Sequence, residues 1–487
     1  MRKFENEVQL VKYEVLREVA RLALKGELME KYRDIPETVD PGPEPRRRCC
    51  IYHERAITSG RVKLVMGGNR KRENIIEVIE EACDQCPANR FLVTEACRGC
   101  IAHRCMDACP VSAIEFNNKK ASINANKCVE CGKCANACPY NAIADVMRPC
   151  IKSCPVGAIS INDRKMAVID DSKCIQCGAC VYRCPFGAIQ DKSDLVRIIE
   201  ILLESRDNKS IKPYAVVAPA ISSQFEYATV EQVVGGLKEL GFYDVIEAAL
   251  GADIIANHEA HEFAESIEEK KVMTTSCCPA FVSLIEKKYP MLKDKISNSV
   301  SPMIAASRLV KQIDPNGVVV FIGPCTAKKM EIYRDSLRNS TDYVITFEEL
   351  AALFDAAEID LSTCQTVEMN NASFYGRIFA RSGGVSEAVK HVIDKDGVAV
   401  DYRPIKCDGI EECEKALKLA KVGRLEGNFI EGMICQGGCI GGPASLHHGK
   451  KDRSIVDDYG KKAMEKDIKD SLRVFDVEGI ELDIKKM

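Results

Sequence analysis

Over roughly the first thirty positions apolar residues recur every three or four places. Leu10, Val11, Tyr13, Val15, Val19, Leu22 and Leu24 stand among Lys and Glu. That period predicts an amphipathic helix whose apolar face packs on the rest of the protein. From Pro36 to Arg48 the period breaks, and four prolines with a basic run read as a linker. Between about Asn74 and Ile189 long periodic segments are scarce and Cys-Pro steps repeat. A charged helical connector near Leu195 to Glu204 then leads into a different texture. Tyr214 to Val217 and Val318 to Ile322 read as buried strands, and Val230 to Leu240 as a helix. Alternating strands and helices predict an α/β domain with its chemistry where strands end. The expected fold is thus multidomain, α+β and α/β: a helix and linker over 1–73, a cysteine-rich module over 74–194 and an α/β domain over 195–487.

The length of 487 residues supports that division, since one core rarely serves so long a chain. With 68 Lys+Arg against 72 Asp+Glu, a general nucleic-acid or membrane-surface role is not expected. The N-terminal Val8, Leu10, Val11, Val15 and Leu16 are interrupted by charges, and no apolar run of about 18 residues follows, so a cytoplasmic address is the expectation. Twenty-six cysteines change the picture most. In a reducing compartment so many are not used as disulfides, and metal ligation is the natural reading.

A run C-x-x-C-x-x-C-x-x-x-C-P holds one 4Fe-4S cube with its first three thiolates and lends the fourth to a neighbouring cube. Cys128, Cys131, Cys134 and Cys138 match it before Pro139, and Cys174, Cys177, Cys180 and Cys184 match it before Pro185. A looser run, Cys97, Cys100, Cys105 and Cys109 before Pro110, pairs with the first of these. Cys150 and Cys154 before Pro155 are the end of a fourth run, whose opening C-x-x-C is supplied by Cys83 and Cys86. One two-cluster ferredoxin-like unit, about 90–147, is then nested inside another. The crossed rule assigns Cys97, Cys100, Cys105 with Cys138; Cys128, Cys131, Cys134 with Cys109; Cys83, Cys86, Cys150 with Cys184; and Cys174, Cys177, Cys180 with Cys154. Zinc also accepts four thiolates, although zinc ribbons lack the C-x-x-x-C-P ending. Four cubes in series move electrons, so the bond chemistry is expected elsewhere.

Three motifs remain: Thr275-Ser276-Cys277-Cys278-Pro279-Ala280-Phe281, Gly323-Pro324-Cys325-Thr326-Ala327-Lys328-Lys329-Met330-Glu331, and Glu431-Gly432-Met433-Ile434-Cys435-Gln436-Gly437-Gly438-Cys439-Ile440-Gly441-Gly442. Each sets cysteine after a strand or in a glycine-rich loop, and thiolates from three such loops can converge on one further cube. Over roughly 210–445 the chain resembles the FeFe hydrogenases, whose signatures read T-S-C-C-P-G-W, M-P-C-x-x-K-x-x-E and E-x-M-x-C-x-x-G-C-x-x-G. The resemblance implies that Cys278, Cys325, Cys435 and Cys439 hold the cubane of an H-cluster. In that reading Cys439 bridges to a diiron subsite carrying carbonyl, cyanide and an azadithiolate. It implies Cys277 as proton donor, Glu259, Ser297 and Glu262 as the relay to the surface, and Lys328 as a charge-assisted donor to cyanide. Met433, Ala218 and Pro219 would line the subsite, excluding water from it.

The departures are Gly323 where many members have Met, Ala220 where many have Ser, Ala280-Phe281 for Gly-Trp, and Pro443 directly after the second glycine pair. They resemble a variant subgroup and leave the ligands and Cys277 intact. The function implied is reversible reduction of protons to dihydrogen, with a ferredoxin or similar redox partner and hydrogenase maturation proteins. A scaffold for iron-sulfur assembly, or a hydrogen sensor with little turnover, competes with it. Against the scaffold stand Cys277, Lys328, Glu259 and Met433, and against the sensor the lack of a segment long enough for a signalling domain. Cys49, Cys50, Cys364, Cys407 and Cys413 have no cluster spacing and read as ordinary thiols, with Cys49-Cys50 beside Arg46, Arg47 and Arg48 as a candidate reactive pair. His258, His261, His447 and His448 are expected at the surface.

Overall fold

The computed structural model describes residues 4–69, 71–87, 89–207 and 211–484. The N-terminal helix α1 (Glu7–Leu24) is capped by the Asn6 side chain, which accepts from the Gln9 N–H. Its buried stripe includes Val11, Val15, Leu16, Val19 and Leu22. The linker stretch contains a short helix, Ile35–Val39, and beyond it lies a full helix α2 (Ile51–Val65) that periodicity does not reveal. The reason is physical: its buried positions include Glu54, Thr58 and Arg61, so the inward face is partly polar.

The cysteine-rich region is held by two concentric strand pairs. Ile76–Val78 pairs antiparallel with Ile189–Asp191, and within that span Phe91–Val93 pairs antiparallel with Ile143–Asp145. Each enclosure thus contains one cysteine-rich unit, the inner inside the outer. One backbone device repeats four times. The Sγ of Cys109, Cys138, Cys154 and Cys184 accepts the N–H of Ala113, Ala142, Ala158 and Ala188, at 3.2–3.3 Å. A strand begins at the next residue each time, at Ile114, Ile143, Ile159 and Ile189. The sequence unit is therefore C-P-x-x-A-I, in which the thiol, its amide donor and the first core residue of a strand are set by local spacing alone.

The C-terminal half carries two parallel sheets. Strands β1 (Pro213–Val217), β2 (Asp244–Glu247), β4 (Val318–Gly323) and β5 (Tyr343–Thr346) run in the order β2-β1-β4-β5, and β3 (Met273–Thr274), β6 (Pro404–Asp408) and β7 (Phe429–Met433) in the order β3-β7-β6. Helix α3 (Ala248–Lys270) runs through the core, and every residue from Ala248 to Ala256 is buried. It crosses helix α4 (Pro302–Ile313) at Gly251, where a Cβ would lie 2.0 Å from the Pro302 carbonyl oxygen, so only glycine admits this approach.

Buried charge joins the three parts. Lys12 of α1 donates to Asp191 (2.8 Å) and Glu348 (2.7 Å), while Lys329 donates to Asp191 (2.7 Å) and Glu349 (2.9 Å). Burial opposes ionisation of Asp191, but the two ammonium groups outweigh it and hold the carboxyl below the ordinary range.

Candidate metal centres

A cavity of about 290 Å³ is lined by Cys97, Cys100, Cys105 and Cys138, together with Phe116 and Ile143. A smaller one is lined by Cys154, Cys174, Cys177 and Cys180. The other two sets also gather. Cys134 lies within electrostatic reach of Cys128 and Cys109, and Cys150 within reach of Cys184, Cys86 and Cys83. Among the described residues, no three His, Cys, Asp or Glu groups close tightly enough around one point to hold a single metal ion. Thiols around a common cavity suit a cluster that puts each on a different iron.

Three strand ends build the further cage. Cys278 follows β3 and precedes the helix Pro279–Lys288; Cys325 follows β4 and precedes the helix Thr326–Glu331; Cys435 and Cys439 follow β7. Cys435 has Cys325, Cys278, Cys177 and Cys439 as its electrostatic neighbours. Burial first, then crowding by other thiols, pushes Cys325 up to about 11 and Cys439 up to about 12. Cys325, Cys435 and Cys439, pushed up by burial, give up their protons to a cation, which is the chemistry an iron-sulfur cube supplies, and Cys278 stands beside them.

Three of the sequence departures acquire reasons. Phe281 lies on the backbone of Gly432, where a Cβ would come within 2.2 Å of the ring, so this pair of residues goes together. Pro443 and Thr326 press on Gly178, where a Cβ would lie 2.5 Å from Pro443 Cγ and 2.6 Å from Thr326 Oγ1. Thr326 also donates to the Gln176 carbonyl at 3.0 Å. This close approach of the 174–180 loop brings Cys177 beside Cys278 and Cys435. Gly323 is confined by the Phe321 ring, 2.7 Å from where its Cβ would stand.

Cys277 lies beside the cage with Glu259, Cys278, Cys439 and Glu431 as titratable neighbours, and burial above all keeps its thiol protonated. Glu259 of α3 is fully buried and neither carboxyl oxygen has a hydrogen-bond partner. Burial, then repulsion by Glu262, pushes it up to about 8, so it carries a proton at neutral pH. One turn on, Glu262 accepts from Ser297 Oγ (2.7 Å) and from Lys270 Nζ (2.9 Å). The structure therefore brings Cys277, Glu259, Ser297 and Glu262 into one file. Beyond it, Ser299 Oγ lies 3.5 Å from Glu262 and 2.9 Å from His258 Nδ1. His258 is half-buried rather than on the open surface, a position its place in a charged helical run did not signal.

Lys328 is buried and donates to Glu331 (2.7 Å) and to the Cys277 carbonyl (3.4 Å). Burial would discharge it, but Glu331 and the thiols Cys325 and Cys439 hold it charged. Met433 and Ala218 are buried, and Pro219 is half-buried at the start of a short helical turn after β1. Cys364, Cys407 and Cys413 are core thiols; Cys413 donates to the Met433 carbonyl at 3.5 Å. Cys49 and Cys50 are exposed, with Cys49 Sγ 3.4 Å from His53 Nδ1. His261 is exposed, but His447 and His448 are half-buried, the latter held by Glu5 and the Gly442 carbonyl. Surface placement fails for these two because the N-terminal segment folds over them. Among the described residues no helix is long and apolar enough to cross a membrane.

Comparison with known proteins gives three family matches. Residues 211–443 match the iron only hydrogenase large subunit, C-terminal domain, and residues 91–139 and 148–188 each match a 4Fe-4S dicluster domain. Iron hydrogenase 1 of Clostridium pasteurianum is 31% identical over 393 residues, covering 71% of this chain and 68% of that protein. The nuclear prelamin A recognition factor of Homo sapiens is 22% identical over 329 residues, 55% of this chain and 72% of that protein. The cytosolic Fe-S cluster assembly factor NAR1 of Kluyveromyces lactis is 33% identical over 99 residues, 20% of this chain and 21% of that protein.

Proposed function

Because the chain belongs to the iron-only hydrogenase family, we propose that it catalyses the reversible reaction of two protons and two electrons to dihydrogen. Cys278, Cys325, Cys435 and Cys439 would hold the cubane of an H-cluster, and four further 4Fe-4S cubes would feed it. When bound, the H-cluster supplies the redox-active iron at which hydrogen forms or splits. The chain's own residues manage protons, charge and water around it. The observation that carries the reading is a fifth buried thiol, Cys277, left outside the cage yet adjacent to it and backed by a protonated carboxyl, Glu259. An iron-sulfur scaffold has no use for such a pair.

In this reading Cys277 gives or takes the proton at the site, and Glu259 replenishes it. Ser297 carries the proton onward to Glu262, which is ion-paired with Lys270 at 2.9 Å. Lys328, fixed by Glu331, presents a positive charge to the anionic ligands of the subsite. Met433, Ala218 and Pro219 keep water out. Cys177, beside the cage, would help to hold the cube that supplies electrons from a ferredoxin-like donor in the cytoplasm, and maturation proteins would install the diiron subsite. The match to the NAR1 assembly factor supports a second reading, a scaffold holding the cubane without a diiron subsite.

Maturation with the diiron subsite, followed by infrared spectroscopy and hydrogen production from a reduced dye, separates the two. Carbonyl and cyanide bands with turnover are expected, and Cys277→Ala is expected to lose about 10²–10⁴-fold in rate while keeping the bands. Proton reduction should decline as pH rises through about 8, where Glu259 loses its proton. Absent bands after full maturation favour the scaffold. Equal inactivity of wild type and variant despite the bands refutes the catalytic assignment.

A further inference from the structure

Two arginines, one on α2 and one in the outer cysteine-rich unit, are buried and, among the described residues, form no ion pair with a carboxylate. Arg61 of α2 is 3% exposed and Arg148 is 6% exposed. Arg61 donates from Nη1 to Gln190 Oε1 (3.0 Å) and from Nη2 to the Phe186 carbonyl (3.5 Å), while its Nε has no partner. The Nη1 of Arg148 has none either, and among the described residues neither arginine forms an ion pair with a carboxylate. An uncompensated guanidinium in the interior is costly, and it cannot escape by losing its proton. Both therefore require an anion.

Both arginines lie near thiols of one set. Arg61 lies against Gly187, where a Cβ would stand 2.9 Å from Nη2, three residues beyond Cys184, a thiol that acts on it electrostatically. Arg148 is two residues before Cys150 and acts on Cys86. Cys86, Cys150 and Cys184 belong with Cys83 to one cage, and Cys83, Cys150 and Cys184 are buried. We propose that Arg61 and Arg148 are the counter-charge of the cluster held by Cys83, Cys86, Cys150 and Cys184, and that they hold up its reduction potential. This rests on the cluster assignment made above.

The physical reason is the sign of the charge added on reduction. A cube with four thiolates is an anion, and each electron makes it more negative, so burial alone makes reduction harder. Two fixed positive charges in the same poorly screened interior favour the reduced form. Neither guanidinium has a carboxylate in ion-pair contact among the described residues, so its field is only partly offset, for Arg61 by Asp40. At the neighbouring cage the cation is used differently: Lys287 donates to the carbonyls of Asp171 and Cys174. The buried cube of Cys83, Cys86, Cys150 and Cys184 would otherwise be a hard step in the relay, and the arginines keep it level with its neighbours. They are positioning residues, acting on electron flow and not touching the reacting hydrogen.

The test is a redox titration followed by electron paramagnetic resonance, on the full chain loaded with its 4Fe-4S clusters but lacking the diiron subsite. Cys86→Ala identifies the step that belongs to this cluster, through loss of that step together with iron. Arg61→Gln and Arg148→Gln should each lower the reduced-to-oxidised ratio of this cluster about tenfold at the wild-type midpoint, a shift of about 59 mV for one electron. Arg61→Lys, which keeps the charge, should restore most of it, and the other steps should stay where they are. Arg148→Gln carries the test by itself if Arg61→Gln does not fold. An unmoved midpoint in the neutral variants with full iron content overturns the proposal. If Cys86→Ala removes neither iron nor a redox step, the cluster assignment itself is wrong and the proposal falls with it.

Discussion

In the inner cysteine-rich unit the buried apolar core consists of Phe91, Ile114, Ala121 and Ile143 beside Cys134, whereas in the catalytic half the core runs through both sheets and the helices that cover them. The first region has too little apolar area to offset the ordering of its chain, and its thiols surround a cavity. Its cluster is thus part of its core. The second region is held by ordinary packing, and its four thiols are presented by strand ends that the core has already placed. The same ligand chemistry is reached from local sequence in one region and from long-range packing in the other.

The sharpest way to break this comparison is to remove the iron. Under reducing conditions with a strong chelator, amide hydrogen exchange across 91–145 should rise to nearly that of a free chain, while α3, α4 and the β1–β4 pair keep their protection. Equal loss in both regions would mean that the catalytic half also depends on metal for its fold.

A second test acts on the seam between them. Asp191→Ala leaves Lys12 and Lys329 buried with one carboxylate each, and breaking such a network costs about 3–5 kcal/mol, measured as a lower unfolding free energy of the iron-loaded chain. Because Asp191 is held below the ordinary carboxylate range, its contribution is present at neutral pH and disappears as the pH falls through that low value; the variant should lack this acid-dependent part.

The smallest expected effect is at Gly178. Gly178→Ala forces Pro443 and Thr326 apart from the 174–180 loop, at about 1–3 kcal/mol of stability, and slows electron entry to the catalytic cage without altering the redox steps of the inner unit. An unchanged entry rate would show that the close contact is packing alone.

Legibility followed the same division. The thiol runs of the relay could be read because a cube's ligands are set two and three residues apart, so spacing carries geometry. The nesting of 91–145 within 76–191 was legible from the same arithmetic, since Cys83 and Cys86 were otherwise without a run. The three catalytic motifs were legible as strand-end cysteines, but their convergence was carried only by resemblance to a family. Helix α2 escaped reading because a polar inward face has no hydrophobic period. The half-buried states of His447 and His448 were hidden for a similar reason, since the covering segment lies more than four hundred residues away in sequence.

By itself the sequence determined where cysteines stand at cluster spacing, where strands and helices alternate, and which thiol adjoins Cys278. Those properties depend on neighbours a few residues apart, within reach of backbone geometry. Only the tertiary structure decided that Glu259 is buried and protonated, that Gly178 admits Pro443, and that Arg61 and Arg148 meet one cage. Each is set by the loss of water around a group, and that is fixed by chain segments distant in sequence that close over it.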